Sequence, residues 1–385
     1  MIGLMADETK QLPDRRQLLT HAKSVVVKIG TNALSDPGGQ LDHELIGHLA
    51  EQLATLHTRG VRTTLVSSGA IGAGITELGL PGRPKDLPML QAAASVGQIL
   101  LVNFFAQAFK KHNIHVGQIL ITRGDFEDRG RYLNLRNCVH ALHRSKAVPI
   151  INENDTVSVA EIRFGDNDLI AAQVTNLLRA DILILLSIVD GLLDAGGKTI
   201  SLVEDVDDST THVVDQKSSR GTGGMGSKLM AAGTVKTAGE PVLIANGKTP
   251  NVITDLLAGK PLGTLIVPNA RRLSSRSRWI GLTAKTKGSI TIDAGAVRAL
   301  HQNKSLLASG IVASTGDFSH GDPVAILDPE GKIVARGLTN YSQEDVEKIR
   351  GQRSSNFAVL LQTDSYYDEV IHRDDLVVES TTAIA

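Results

Sequence analysis

Residues 221–228 read GTGGMGSK, four glycines crowded ahead of a lysine. Gly221 and Gly226 stand at Walker A spacing, but the stretch closes on Ser227-Lys228, the reverse of the Lys-Ser/Thr order, and follows a polar run, VVDQKSSR, in place of a buried strand. Beyond it, Met225, Leu229, Ala232, Val235 and Lys236 fall at helical spacing, with Gly239 as a stop. Lys228 is therefore expected in the first turn of a helix, where unpaired backbone N–H groups favour an anion. Taken alone, the stretch fits a phosphate site or a Gly-rich linker. Other polar residues gather at the ends of apolar runs. Lys28 closes SVVVK and leads into Gly30; Ser67-Ser68-Gly69 follows RTTLV; Asn152-Glu153-Asn154-Asp155 follows AVPII. Each has an ordinary reading as a solvated lysine, a cap or a turn. Their agreement on the carboxyl ends of strands, where open parallel sheets bind ligands, points to one anion-binding rim. A second polar focus, FGDNDL at 164–169, sets Asp166, Asn167 and Asp168 ahead of an apolar helix. Capping accounts for one of these aspartates, and the spacing fits no EF-hand.

The elements that must carry these residues alternate. Short Val/Ile/Leu-rich runs (SVVVKIG, RTTLVS, VGQILIT, AVPIIN, DILILLS, PVLIAN, GTLIV) are separated by helical stretches near DHELIGHLAEQLATLHTRG, up to His112, up to Arg144 and around Lys228. A hairpin is expected around SVAEIRFGD. The pattern predicts an α/β fold, an open and mostly parallel sheet sandwiched by helices. From 288, the runs GSITID, GIVAST, DPVAILD and KIVARGLTN predict a small β-rich domain. We expect a disordered lead-in at 1–20, a catalytic domain at 21–268, a basic linker at 269–287, the β-rich domain at 288–376 and a tail at 377–385. The linker, with Arg271, Arg272, Arg276, Arg278, Lys285 and Lys287, is read as a packed boundary in preference to a nucleic-acid patch.

Composition narrows the classes. Of 385 residues, 42% are hydrophobic and 21% charged, and the formal net charge of −1 carries no global signal for nucleic acid or an acidic membrane. No unbroken apolar run approaches the roughly 20 residues of a membrane span, and the charged opening is unlike a signal peptide. The single cysteine, Cys138, excludes an internal disulfide, suits a reducing cytoplasm, and is read as a buried structural thiol. No HExxH or Cys/His cluster suggests a protein-built zinc site.

The segments VVVKIGTNAL, VSSGAIGAG, INENDTVSVAEIRFGDNDLIAA and GTGGMGSK, in that order, closely resemble the amino-acid kinase family, from about residue 24 onward. The NEND…GDND pair and ILITRGDFEDRGRYLN point to the members that phosphorylate glutamate, and the C-terminal segment resembles a PUA domain. The resemblance implies transfer from ATP to the side-chain carboxylate of L-glutamate, giving L-glutamyl 5-phosphate for proline biosynthesis. It implies Lys28, Lys228 and Asp168 as catalytic residues, with Asp168 holding both lysines. Ser68, Gly69, Asp155, Asn167 and Asn152 would take the amino acid. Lys28, Gly30, Ser187, Ile188, Thr222, Gly223, Gly224, Met225, Gly226, Ser227 and Lys228 would take ATP, whose phosphates would carry Mg²⁺. It further implies inhibition by proline, a homo-oligomer (dimer or tetramer) and glutamyl-phosphate reductase as pathway partner. Two departures stand out: the family's Thr-Asp after DILILLS is here Ser187-Ile188, and VDGLLDAGGKTI lacks the usual tyrosine- and proline-bearing loop. Three alternatives compete. One is a sister kinase acting on N-acetylglutamate or aspartate, against which Asp155 and GDND argue. Another is an RNA-binding protein, but residues 285–385 hold ten Lys and Arg against fourteen Asp and Glu. The third, a pseudokinase, is motivated by Ser187-Ile188.

Overall fold

The computed structural model of the protein describes residues 14–36, 39–158, 167–206, 224–270 and 272–379. The chain divides into two compact units. The first comprises Met1–Ile121, Val139–Thr175 and Ala180–Ala270; the second comprises Thr122–Cys138, Asn176–Arg179 and Arg271–Ala385.

An eight-stranded sheet organises the first unit. Its strands are β1 (Ser24–Ile29), β2 (Arg62–Ser67), β3 (His115–Ile121), β4 (Ala147–Glu153), β5 (Ile182–Ser187), β6 (Leu202–Val203), β7 (Val242–Asn246) and β8 (Thr264–Ile266), in the order β3-β4-β2-β1-β5-β7-β8-β6. Every pairing is parallel except β7 with β8. Unbroken burial along β1 and β4 explains why these strands read as continuous Val/Ile runs, since helices cover both faces of such a sheet. The chain leaves β1 toward β2 on one side, and leaves β5 toward β7 on the other. The sheet therefore switches direction between β1 and β5, and opens a crevice beyond their carboxyl ends.

Two helices reach the rim in backbone contact. Ala70–Glu77 follows β2, and Leu87–Lys110 is capped by Asp86 through the Met89 N–H at 3.1 Å. They cross where Gly74 and Gly97 face one another: a side chain on Gly97 would run into the Ala70 carbonyl, and one on Gly74 into the Ala93 carbonyl. Although the sequence has no unbroken apolar run of span length, Leu87–Lys110 is long and apolar enough, by length and composition, to cross a membrane. Its buried Leu101, Phe105 and Phe109 place it as a core helix. Arg15–Leu19, expected in the lead-in, is helical instead, because Leu19 is buried in the same core. Apart from Ser158, the hairpin expected at 158–166 lies outside the described residues.

The second unit is built on the β-rich sheet, β9 (Gly288–Ile292), β10 (Ile311–Gly316), β11 (Pro323–Leu327), β12 (Ile333–Leu338) and β13 (Leu376–Val378), in the order β10-β9-β11-β12-β13. The basic stretch is a folded part of this unit. Arg278 is fully buried, its Nε donating to the Leu273 carbonyl at 3.0 Å, and Trp279 Nε1 donates to the Phe126 carbonyl at 3.2 Å. Arg276 pairs with Asp375, and Lys287 with Asp322 at 2.8 Å. Among the described residues, Arg276, Arg278 and Lys287 thus have partners within the chain. Cys138 is exposed, against the expectation of a buried thiol. On the helix Arg129–Arg144 the inward positions are Tyr132 and Val139, seven residues apart, and Cys138 is rotated off that face by one residue step.

Gly97→Ala is expected to cost about 3 kcal/mol of unfolding free energy, since two helix backbones must separate. Gly47→Ala, on the helix His43–Thr58 with no atom within 4 Å of an added methyl, is expected to gain up to about 1 kcal/mol. Urea denaturation of both variants checks the pair; equal effects would contradict the close crossing.

Candidate active site

Three charged side chains meet at the crevice. Lys28 comes from the penultimate position of β1, Asp168 from the first turn of the helix Asn167–Leu178, and Lys228 from the first turn of Met225–Ala238. Lys28 Nζ lies 2.7 Å from Asp168 Oδ1, and Lys228 Nζ lies 3.0 Å from Asp168 Oδ2. Ser227 Oγ donates to the same Oδ2 at 2.9 Å. Relative exposures of 4%, 1% and 6% for Lys28, Asp168 and Lys228 put the group out of water. Burial alone would raise the Asp168 carboxyl, but the two ammonium groups override it and hold the acid well below the usual carboxylate range. Two cations on one anion leave a net positive charge facing the crevice, which favours an anionic ligand. Gly30 lies beside this arrangement: a methyl there would stand 3.4 Å from Lys28 Nζ, in ordinary contact.

Beside the charges lies a chain of carboxamides. Asn167 Nδ2 donates to Ser68 Oγ at 2.9 Å and to Asn152 Oδ1 at 3.1 Å. Asn152 Nδ2 donates to Gln98 Oε1 at 2.7 Å, while Asn152 Oδ1 also accepts the Glu153 N–H at 2.9 Å. Gly69, expected here, caps the helix Ala70–Glu77 at φ +104°, a left-handed conformation that favours glycine and turns Ser68 toward the rim. Asp155 lies in the turn after β4. Burial pushes its carboxyl up to about 6, against a smaller opposing pull from Arg83. A cleft of about 170 Å³ is lined by Gln98, Glu153, Asn154 and Asp155. Gln98 escapes the sequence reading. Its one signal is a glutamine inside the apolar run AAASVGQILLVNFF, on the buried face of its helix.

The expected nucleotide positions are spread along the other side of the crevice. Ser187 ends β5, and its carbonyl accepts the Gly247 N–H at 2.8 Å; Ile188 is exposed. At the end of the neighbouring β7, Asn246 Nδ2 donates to Asp190 Oδ1 at 3.0 Å, a pair that no sequence pattern signalled. Gly224 caps Met225–Ala238 with φ −99°, and side chains at Gly224 or Gly226 would meet no atom within 4 Å. Neither glycine is required by its backbone; both leave room. Thr222, Gly223 and Asp166 lie outside the described residues. Ser227, expected at the nucleotide, turns its hydroxyl to Asp168.

The sequence pattern of the amino acid kinase family matches residues 23–246, more than half of the chain and the whole of this rim. The chain belongs to the amino acid kinase family. A PUA domain matches residues 288–361. Within the family, the chain is 44% identical over 362 residues to a protein of Caldanaerobacter subterraneus subsp. tengcongensis named glutamate 5-kinase, covering 92% of this chain and 97% of that one. It is 44% identical over 373 residues to glutamate 5-kinase of Syntrophus aciditrophicus, covering 95% and 96%. It is 41% identical over 382 residues to that of Rhodopirellula baltica, covering 97% and 98%. Kinase chemistry on ATP implies a divalent cation. Among the described residues no three His, Cys, Asp or Glu side chains converge on one point, and both Asp168 oxygens already face ammonium groups.

Asp168→Asn should lower the unfolding free energy by about 3 kcal/mol near neutral pH, because two buried ammonium groups lose their counter-ion. Asp168 ionises at lower pH when folded than when unfolded. Its contribution is therefore complete above the unfolded carboxyl value of about 4 and lost as pH falls below it. Denaturation of both proteins near pH 7 and below about pH 4 should show the gap closing in acid. A gap independent of pH would place the effect outside the ion group.

Proposed function

We propose that the chain transfers the γ-phosphoryl group of ATP to the side-chain carboxylate of L-glutamate, forming L-glutamyl 5-phosphate and ADP as the first step of proline biosynthesis. The observation that carries this reading is the buried Lys28–Asp168–Lys228 group at the switch point, with a net positive charge and, among the described residues, no base poised beside it. The nucleophile needs none: a carboxyl of reference pKa about 4.3 is already ionised at neutral pH. A carboxylate oxygen bonds to the γ-phosphorus as the bond to the β-phosphate oxygen breaks, and that electron pair leaves with ADP. The work left to the protein is to bring anions together and stabilise the transferring group. Lys28 and Lys228 present ammonium groups to the phosphoryl oxygens, held in place by Asp168. Gly224 and Gly226 leave the start of Met225–Ala238 open to phosphate, with Thr222, Gly223 and Met225 in the same stretch. Lys28 near the end of β1 and Gly30 just beyond it face the phosphates, and Ser187 and Ile188 border the base.

Ser68, Gly69, Asn152 and Asn167 surround the amino acid, and Asp155 takes its ammonium group. Burial raises the Asp155 carboxyl to about 6 against only a smaller pull from Arg83, and a substrate ammonium adds a cation beside it. An acylated nitrogen would leave Asp155 unpaired, which disfavours N-acetylglutamate. Mg²⁺ brought by ATP would supply neutralisation of the phosphate charge. We extend the reading to L-proline as an inhibitor competing at the amino-acid site, a dimeric or tetrameric assembly, and a cytoplasmic enzyme that hands its labile acyl phosphate to glutamyl-phosphate reductase. The domain limits proposed are 21–268 for the kinase and 288–376 for the PUA-like part.

Hydroxylamine trapping with ATP and Mg²⁺ should yield hydroxamate with L-glutamate and not with N-acetylglutamate or L-aspartate, and Lys228→Ala should reduce the rate about a hundredfold or more. Folded protein that yields none, or yields as much with N-acetylglutamate, would sink the reading. The KM for L-glutamate should climb as pH is lowered through about 6, where Asp155 takes up a proton, while kcat at saturation changes less. A flat KM profile in wild type would remove Asp155 from ammonium recognition.

A further inference from the structure

Asn167 uses both amide protons within the protein, on Ser68 Oγ and on Asn152 Oδ1, and its own Oδ1 is buried without a partner among the described residues. The two ends of a carboxamide are nearly equal in size, so only hydrogen bonds decide which way each one faces. Here a single backbone group decides. The Glu153 N–H can only donate, and it meets the Asn152 side chain at 2.9 Å, so an oxygen must stand there. Asn152 Nδ2 is thereby turned toward the helix Leu87–Lys110, where Gln98 Oε1 accepts it at 2.7 Å. Asn152 Oδ1, shared with Glu153, must then receive the NH₂ of Asn167. Every amide in the row points one way, and the row ends on a bare carbonyl oxygen.

We infer that Gln98 is a positioning residue for amino-acid recognition: by accepting from Asn152 it holds in place the row whose direction the Glu153 N–H sets, so that Asn167 offers the substrate an oxygen and no N–H. A ligand carrying an ammonium group fits that oxygen; a ligand needing a donor there does not. The inference rests on the reading of the site as one for L-glutamate. Gln98 is 7% exposed and its Nε2 is buried without a protein partner, so its side chain is held by the Asn152 contact and its packing. Loss of the acceptor strands the Asn152 NH₂ in a buried place and leaves Asn152 held by the Glu153 N–H alone, so that its position against Asn167 loosens. Since Asn167 adjoins Asp168 on one helix start, Gln98 acts on the amino-acid end without touching either lysine.

The test compares full-length wild type with Gln98→Met, which keeps the length and loses the acceptor, and Gln98→Glu, which keeps an acceptor in either protonation state. Gln98→Met should raise the KM for L-glutamate about tenfold or more, with the KM for ATP within about twofold and the melting temperature close to wild type; Gln98→Glu should recover most of the loss. Unchanged KM for glutamate in Gln98→Met overturns the inference. So does a parallel rise in both KM values that Gln98→Glu fails to relieve. Should Gln98→Met not fold, Gln98→Glu decides alone: near-wild-type KM for glutamate supports the row, and a tenfold rise overturns it. If wild type makes no hydroxamate, the kinase reading fails by itself, and the row is judged by binding. The thermal shift produced by L-glutamate, N-acetylglutamate or L-aspartate in wild type should then vanish in Gln98→Met and return in Gln98→Glu. Equal shifts in all three proteins, or none in wild type, overturn it.

Discussion

Keeping Asp168 ionised away from water is the constraint on which the rim depends. A lone carboxylate at 1% exposure would take up a proton, and two neighbouring buried ammonium groups would repel each other. Together they form a stable group that still carries one positive charge. That arrangement needs three backbone segments to converge within hydrogen-bond reach: the end of β1 and the starts of two helices. The switch in strand order makes this possible, because the connections from β1 and β5 run in opposite directions and leave the space above their ends open.

A second constraint joins the charged group to the amides. The backbones of Ala70–Glu77 and Leu87–Lys110 touch at Gly74 and Gly97, and that closeness brings Gln98 within reach of Asn152. From there the hydrogen bonds run to Asn167, the residue before Asp168. One helix start therefore carries both ends of the proposed chemistry: an amide that faces the amino acid, and a carboxylate that holds the cations for phosphoryl transfer. Substrate recognition and charge stabilisation share a rigid element, which is what an in-line transfer between two anions requires.

The second unit shows how easily local charge misleads. Six basic residues without an acid between them look like an interaction surface. In the fold Arg278 is buried against backbone carbonyl oxygen, and Arg276 and Lys287 pair with aspartates that lie 99 and 35 residues further along the chain. These partners are absent from the local sequence, so their pairing could not be read from the stretch itself.

The central strands of the first sheet were legible because burial on both faces demands continuous β-branched runs, and RTTLVS became β2 residue for residue. The rim residues Lys28, Ser68, Asn152, Asp168 and Lys228 were legible because strand ends and helix starts are fixed by local pattern, and polar residues there stand out. Leu19, Cys138 and Gln98 were not, because whether a side chain faces core, solvent or site depends on which helix packs against it. The two-residue strand β6 was too short to carry a pattern. By itself the sequence determined the order of elements, the chemical character of the rim and the family to which it is similar. Only the tertiary structure decided that Asp168 pairs with both lysines and that Gln98 ends the amide row. Those contacts join residues 54 to 140 positions apart, and hydrogen bonds of about 3 Å exist only once packing has fixed the distances.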